Sequence, residues 1–173
     1  DSIVRQVRVL VKYIITIFIH GYNVSFEDAA RRTAQIAYDL AFDGVPILYS
    51  WPSCCSLQSY SADEANAEWS ALHLKTFLKN IAESCGSNMV HILAHSMGNR
   101  LLASALHQLS LEGFAPPTRF HQVILAAPDI DAGTMRELAG AIKATAERVT
   151  LYASPADKAL ILSRRFHKNP RAG

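Results

Sequence analysis

Residues 91–106, HILAHSMGNRLLASAL, pass from an apolar run to a helical pattern with only His95 and Ser96 between them. A chain that turns this sharply normally draws on Asp, Asn or Pro, yet a serine stands at the apex, with Ala94 and Gly98 two residues to either side. A serine nucleophile on a tight strand-to-helix turn needs small residues at those two positions, because backbone and helix crowd them. The usual G-x-S-x-G spacing is met here with Ala in first place. A helix beginning at Met97 would also aim backbone N–H groups and its positive dipole end at Ser96, where an oxyanion would be stabilised. A lone serine would read as an ordinary N-cap. Its bracketing by a buried strand and a helix favours the nucleophile.

Working outward, five short apolar runs alternate with helical patterns: residues 14–19, 46–51, 89–94, 122–127 and 149–153. Most are rich in Ile, Val and Leu without strict alternation, as expected of strands buried on both faces of a parallel sheet. Residues 26–42 carry small or apolar side chains at Phe26, Ala29, Ala30, Thr33, Ile36, Ala37 and Leu40, one face of a helix. Ser25 and Asp28 supply a capping-box pattern at its start, and Gly44 follows its end. Residues 61–84 repeat the grammar with Ser61 and Glu64, residues 97–111 form a third helix closed by Gly113, residues 134–146 a fourth, and a fifth starts near Pro155. Strands alternating with helices imply right-handed βαβ units, hence a mostly parallel sheet of at least five strands with helices on both faces. Functional groups in such sheets gather at the carboxyl ends of the strands.

With 173 residues the chain has the size of one domain. A formal net charge of +2 is too small to point at nucleic acid or an anionic membrane, and no run of about 18 apolar residues is present to span one. Three cysteines, two of them adjacent, make a poor disulfide framework and read as reduced thiols, which points to the cytoplasm. The chain opens on Asp1 rather than Met, so a processed or trimmed N-terminus is expected and a secreted or periplasmic location stays open. His91 and His95 would suit a metal on a helix, but on a strand they stand too far apart. No metal or cofactor is expected.

FIHGYNVSFEDAARR, VPILYSWPS, DEANAEW, HILAHSMGNRLL, VILAAPDID and LYASPADKAL, taken together and in order, resemble a bacterial α/β-hydrolase family of unknown function (DUF900-like). The resemblance runs from Ile14 to Gly173 and implies the α/β-hydrolase fold; it supplies no substrate. In such hydrolases the loop after the strand bearing His-Gly gives half of the oxyanion hole and the residue after the nucleophile gives the rest, which maps to the N–H groups of Tyr22 and Met97. His20 is expected to shape that loop rather than to act as a base, and the ring of His95 to point away from Ser96.

The triad order in this fold is Ser, then Asp or Glu, then His, with the acid commonly after the second strand beyond the nucleophile. Asp157 satisfies this, while Asp129 and Asp131, after the intervening strand, remain alternatives. Trp51, Tyr22, Tyr49, Tyr60 and Trp69 are candidates for a pocket wall. After Asp157 the only histidine is His167. The resemblance implies a later histidine in a Gly-His-Ser setting, so residues 1–173 are expected to be a single hydrolase domain incomplete at both ends, with His167 the weaker candidate for the base. The function expected is an esterase-like serine hydrolase acting on a small-molecule ester or other acyl substrate through an acyl-enzyme. The rival is a non-catalytic binding module on a hydrolase scaffold. Oligomeric state is left open.

Overall fold

The computed structural model describes residues 14–85, 89–114, 119–154, 163 and 170–173. Five strands, β1 (Ile15–Ile19), β2 (Val45–Tyr49), β3 (Val90–His95), β4 (Phe120–Ala126) and β5 (Ala146–Tyr152), form one sheet in the order β2-β1-β3-β4-β5. Every pairing is parallel. Four helices, α1 (Phe26–Asp39), α2 (Tyr60–Cys85), α3 (Gly98–Leu111) and α4 (Ala132–Thr145), fill the connections among the described residues. The helix expected from Pro155 lies outside them.

Alternation along β1 explains the layering. Ile15, Ile17 and Ile19 enter a core with Leu74 and Leu78 of α2 and Leu101, Leu102 and Leu106 of α3. Thr16 and Phe18 face the other way and line a small apolar niche with Thr33, Ile36 and Ala37 of α1 and Pro46 of β2. Helices therefore cover both faces, α1 on one and α2 with α3 on the other. Only the central strands are buried as expected. Val45 is exposed and β2 is at most half-buried, and β5 is mostly exposed, because both are edge strands with a neighbour on one side.

The α1 cap forms as read: Ser25 Oγ accepts from the Asp28 N–H at 3.1 Å and donates to the Asp28 carboxylate at 2.8 Å. The Ser61 cap does not. A 3-10 turn, Leu57–Ser59, capped by Ser56, runs straight into Tyr60, so Ser61 lies inside α2 and Glu64 is spent on Arg100. Likewise α4 stops at Thr145 and β5 starts at Ala146 with no loop between, three residues before the apolar run that begins at Val149, since Glu147 and Arg148 are exposed on an edge.

Candidate active site

Ser96 occupies the turn between β3 and α3 with φ of 50°, a left-handed conformation that a residue with a Cβ adopts only when its surroundings impose it. The surroundings are explicit. Its carbonyl accepts from the Asn99 N–H at 3.1 Å, Asn99 Nδ2 at 2.9 Å and the Asp129 N–H at 3.2 Å, and its own N–H donates to Ala126 O at 3.0 Å. Asn99 Nδ2 also reaches Ala126 O at 3.1 Å, so one buried amide staples the turn to the end of β4. The small residue at position 98 is required by close approach: a Cβ there would stand 2.4 Å from His20 O and 2.9 Å from Ile19 O. Met97 precedes α3 in helical conformation and is fully buried, which moves the expected helix start by one residue.

The loop after β1 is pressed against this turn. A Cβ on Gly21 would meet Ser96 Cβ and His95 Nδ1 at 3.0 Å each, so residue 21 must be small for the backbone to lie beside the serine. His20 is buried and its two ring nitrogens are both engaged. Nδ1 donates to Gly21 O at 2.9 Å, while Nε2 accepts the Trp51 N–H at 3.2 Å and meets Ser50 Oγ at 3.2 Å. A carbonyl only accepts, so the proton sits on Nδ1 and the ring is neutral. Its face stacks on Trp51 with centroids 5.2 Å apart, and Trp51 Nε1 donates to His20 O at 2.8 Å. Burial lowers the His20 pKa, with the hydrogen bonds to Gly21 and Trp51 and the charge of Asp63 opposing. His20 thus shapes the loop, as expected. Neither the Tyr22 nor the Met97 N–H has a hydrogen-bond partner among the described residues, and these are the two groups assigned to the oxyanion.

The alternative acids are committed elsewhere. Asp129 is buried; its Oδ2 accepts the Tyr60 hydroxyl, and its Oδ1 accepts from Ser163 at 2.7 Å and pairs with Arg171 Nε at 3.2 Å. Arg100 donates through Nε to Asp129 O at 2.7 Å and pairs through Nη1 with Glu64 at 2.6 Å. Burial together with the Asp129 bond pushes the Tyr60 phenol far above its usual value. Asp131 caps α4, accepting from the Thr134 N–H at 2.9 Å, and that bond holds its carboxyl below the ordinary range. Residues 170–173 lie along the same loop: the Ala132 N–H donates to Pro170 O, the Ala172 N–H to Ile130 O and the Gly173 N–H to Pro128 O. Asp157 and His167 lie outside the described residues.

Of the aromatic candidates, Trp51 is core, Tyr49 packs on Phe77, and Trp69 is exposed on α2 beside His73. Only Tyr22 and Tyr60, edge-to-face at 5.1 Å, stand together near the turn. Sequence reasoning missed Asn99, Arg100, Arg171 and Asp63. For Asp63 a signal existed: it occupies the buried stripe Asp63-Ala67-Ala71-Leu74-Leu78 of α2, and a carboxylate on an apolar stripe must have partners. Those are Ser53 Oγ and the Cys54 N–H, each at 2.7 Å.

Residues 2–173 match the family model described as alpha/beta hydrolase of unknown function (DUF900). The chain belongs to this family. No curated protein matches this DUF900 hydrolase. Among solved structures, a Trichoderma reesei cutinase in complex with a phosphonate inhibitor is similar at 12% identity and a TM-score of 0.49, over 91% of this chain and 71% of that one. No helix among the described residues of the DUF900 chain is long and apolar enough to cross a membrane.

Proposed function

We propose that the chain is a serine hydrolase of esterase type, acting on a small-molecule carboxylic ester through an acyl-enzyme. The observation that carries this reading is Ser96, held at φ of 50° between a buried strand and a helix, with the N–H groups of Tyr22 and Met97, unpartnered among the described residues, in the segments that meet there. In this reading Ser96 Oγ attacks the acyl carbonyl, and the oxygen that gains charge is received by those two N–H groups. A histidine takes the serine proton and returns it to the departing alcohol; water then repeats the sequence on the acyl-enzyme. His20 is unsuited to be that base because both of its nitrogens are engaged. His167 is the candidate within the chain. Asp157, following β5, is the preferred orienting acid, since the carboxylates of Asp129 and Asp131 already serve the fold. Residues 1–173 act as one domain in this scheme.

A fluorophosphonate probe followed by tryptic mapping tests the proposal. The adduct is expected on Ser96, in the peptide of residues 80–100, and is absent from Ser96→Ala. An adduct on Ser53 or Ser154 instead, or none at all, overturns it. With p-nitrophenyl acetate, Asp157→Asn is expected to lower turnover by about 10⁴-fold, the usual cost of losing the orienting acid. Asp129→Asn should chiefly lower the urea midpoint.

A further inference from the structure

We propose that Cys54 and Cys55 form a reversible thiol–disulfide site whose oxidised state loosens the loop that carries Tyr22. The two thiols are exposed, on neighbouring residues between β2 and the 3-10 turn. Cys55 has φ of 52°, which winds the backbone so that its thiol turns back and donates to Ser53 O at 3.5 Å. The residues flanking the pair grip the loop after β1. Ser53 Oγ accepts the Val24 N–H at 3.4 Å, and Ser56 O accepts the Tyr22 hydroxyl at 2.9 Å. Asp63 holds the same segment from α2 through Ser53 Oγ and the Cys54 N–H. A change of backbone at 54–55 therefore pulls on Ser53 and Ser56, and through them on residues 22–24.

The chemistry balances with a peroxide as oxidant. At Cys54 the carboxylate of Asp63, by hydrogen bonding and then by its charge, raises the thiol above its ordinary value; the reaction opens at the exposed thiol of Cys55. Its thiolate attacks one peroxide oxygen and the O–O bond breaks. The departing hydroxide takes a proton to give water, leaving a sulfenic acid on Cys55. The Cys54 sulfur then attacks that sulfur; the S–S bond forms, the S–O bond breaks, and hydroxide leaves with the Cys54 proton as a second water. Two electrons pass from the thiols to the peroxide. Adjacent Cα atoms are about 3.8 Å apart, below the roughly 4.4–6.8 Å that disulfides usually span, so the ring is strained, shifts its backbone and is easily reduced.

The thiol chemistry stands apart from the hydrolase reading; its effect on turnover rests on it. The test treats the full chain with hydrogen peroxide and reads three quantities: the mass of the tryptic peptide of residues 33–75, in which Cys54 and Cys55 are the only cysteines, amide exchange at Val24, and hydrolysis of p-nitrophenyl acetate. The expected result is loss of two hydrogens from that peptide, reversed by dithiothreitol, with faster Val24 exchange and turnover lower by about tenfold, a fraction of the loss of a whole oxyanion donor. Cys54→Ser and Cys55→Ser should each abolish the mass change and the exchange response. Thiols that stay reduced, that pass on to sulfinic acid, or that pair with Cys85 overturn the proposal, as does a disulfide that leaves Val24 exchange unchanged. A disulfide with the exchange response in a protein that never hydrolyses the ester supports the thiol site and counts against the hydrolase reading alone.

Discussion

Backbone strain at Ser96 is where sequence and chemistry meet most directly. Holding a non-glycine residue left-handed costs about 1–3 kcal/mol, and the three donors on its carbonyl offset that cost. Gly98 is the least replaceable partner, because the atom facing it is the backbone oxygen of His20 and cannot rotate away. Gly98→Ala is expected to lower stability by about 1–3 kcal/mol in urea unfolding, in the range of overpacking, and to abolish fluorophosphonate labelling. The demand for small residues at 94 and 98 was legible from spacing alone, because it is a local steric requirement. The roles of Asn99, Asp129 and Arg171 were not. Asp129 and Arg171 find their partners in distant segments, and Asn99 matters because it ties the nearby Ser96 O to Ala126 O on β4, so no window of sequence contains these interactions whole.

At the level of elements, local chemistry was read well where a helix starts in isolation. Ser25 caps α1 through its own side chain, and Ser25→Ala is expected to cost about 1 kcal/mol, read as a lower urea midpoint with unchanged labelling of Ser96. The same grammar misled at Ser61 and Glu64, since the 3-10 turn had already started the helix and Arg100 of α3 recruits Glu64. Asp131 is the reverse case. Weighed as a catalytic acid, it is an N-cap, and the Asp-x-x-Thr spacing to Thr134 was the available sign. Strand positions came through because apolar runs are long relative to error. Their edge or central rank did not, since it depends on which strand pairs with which.

Across the whole molecule, one buried and one half-buried imidazole set a pH limit. His20 and His91 are each held below the ordinary value near 6.5, both chiefly by burial, with the neighbouring His121 adding to the effect at His91. Lowered folded-state values mean that the unfolded chain binds more protons below that value. The stability they contribute is thus present above about pH 6.5 and is lost as pH falls from there toward the folded-state values. Urea midpoints measured from pH 7.5 down to 5 should fall, and His91→Gln should flatten part of the slope. The sheet order adds a consequence of another kind. From β1 the chain first builds outward to β2 and then returns to lay β3 on the opposite side, so the turn at Ser96 touches segments that start far apart along the chain. Contacts of such long separation form late. On the proposed hydrolase reading, a newly made chain therefore carries an inert hydroxyl while its hydrophobic surface is still open to other molecules, and arms it only when β1, β3 and β4 have met. In refolding from urea, probe reactivity should appear with the slowest phase, well after helical signal; reactivity that rises together with the helices would show that the turn is shaped locally.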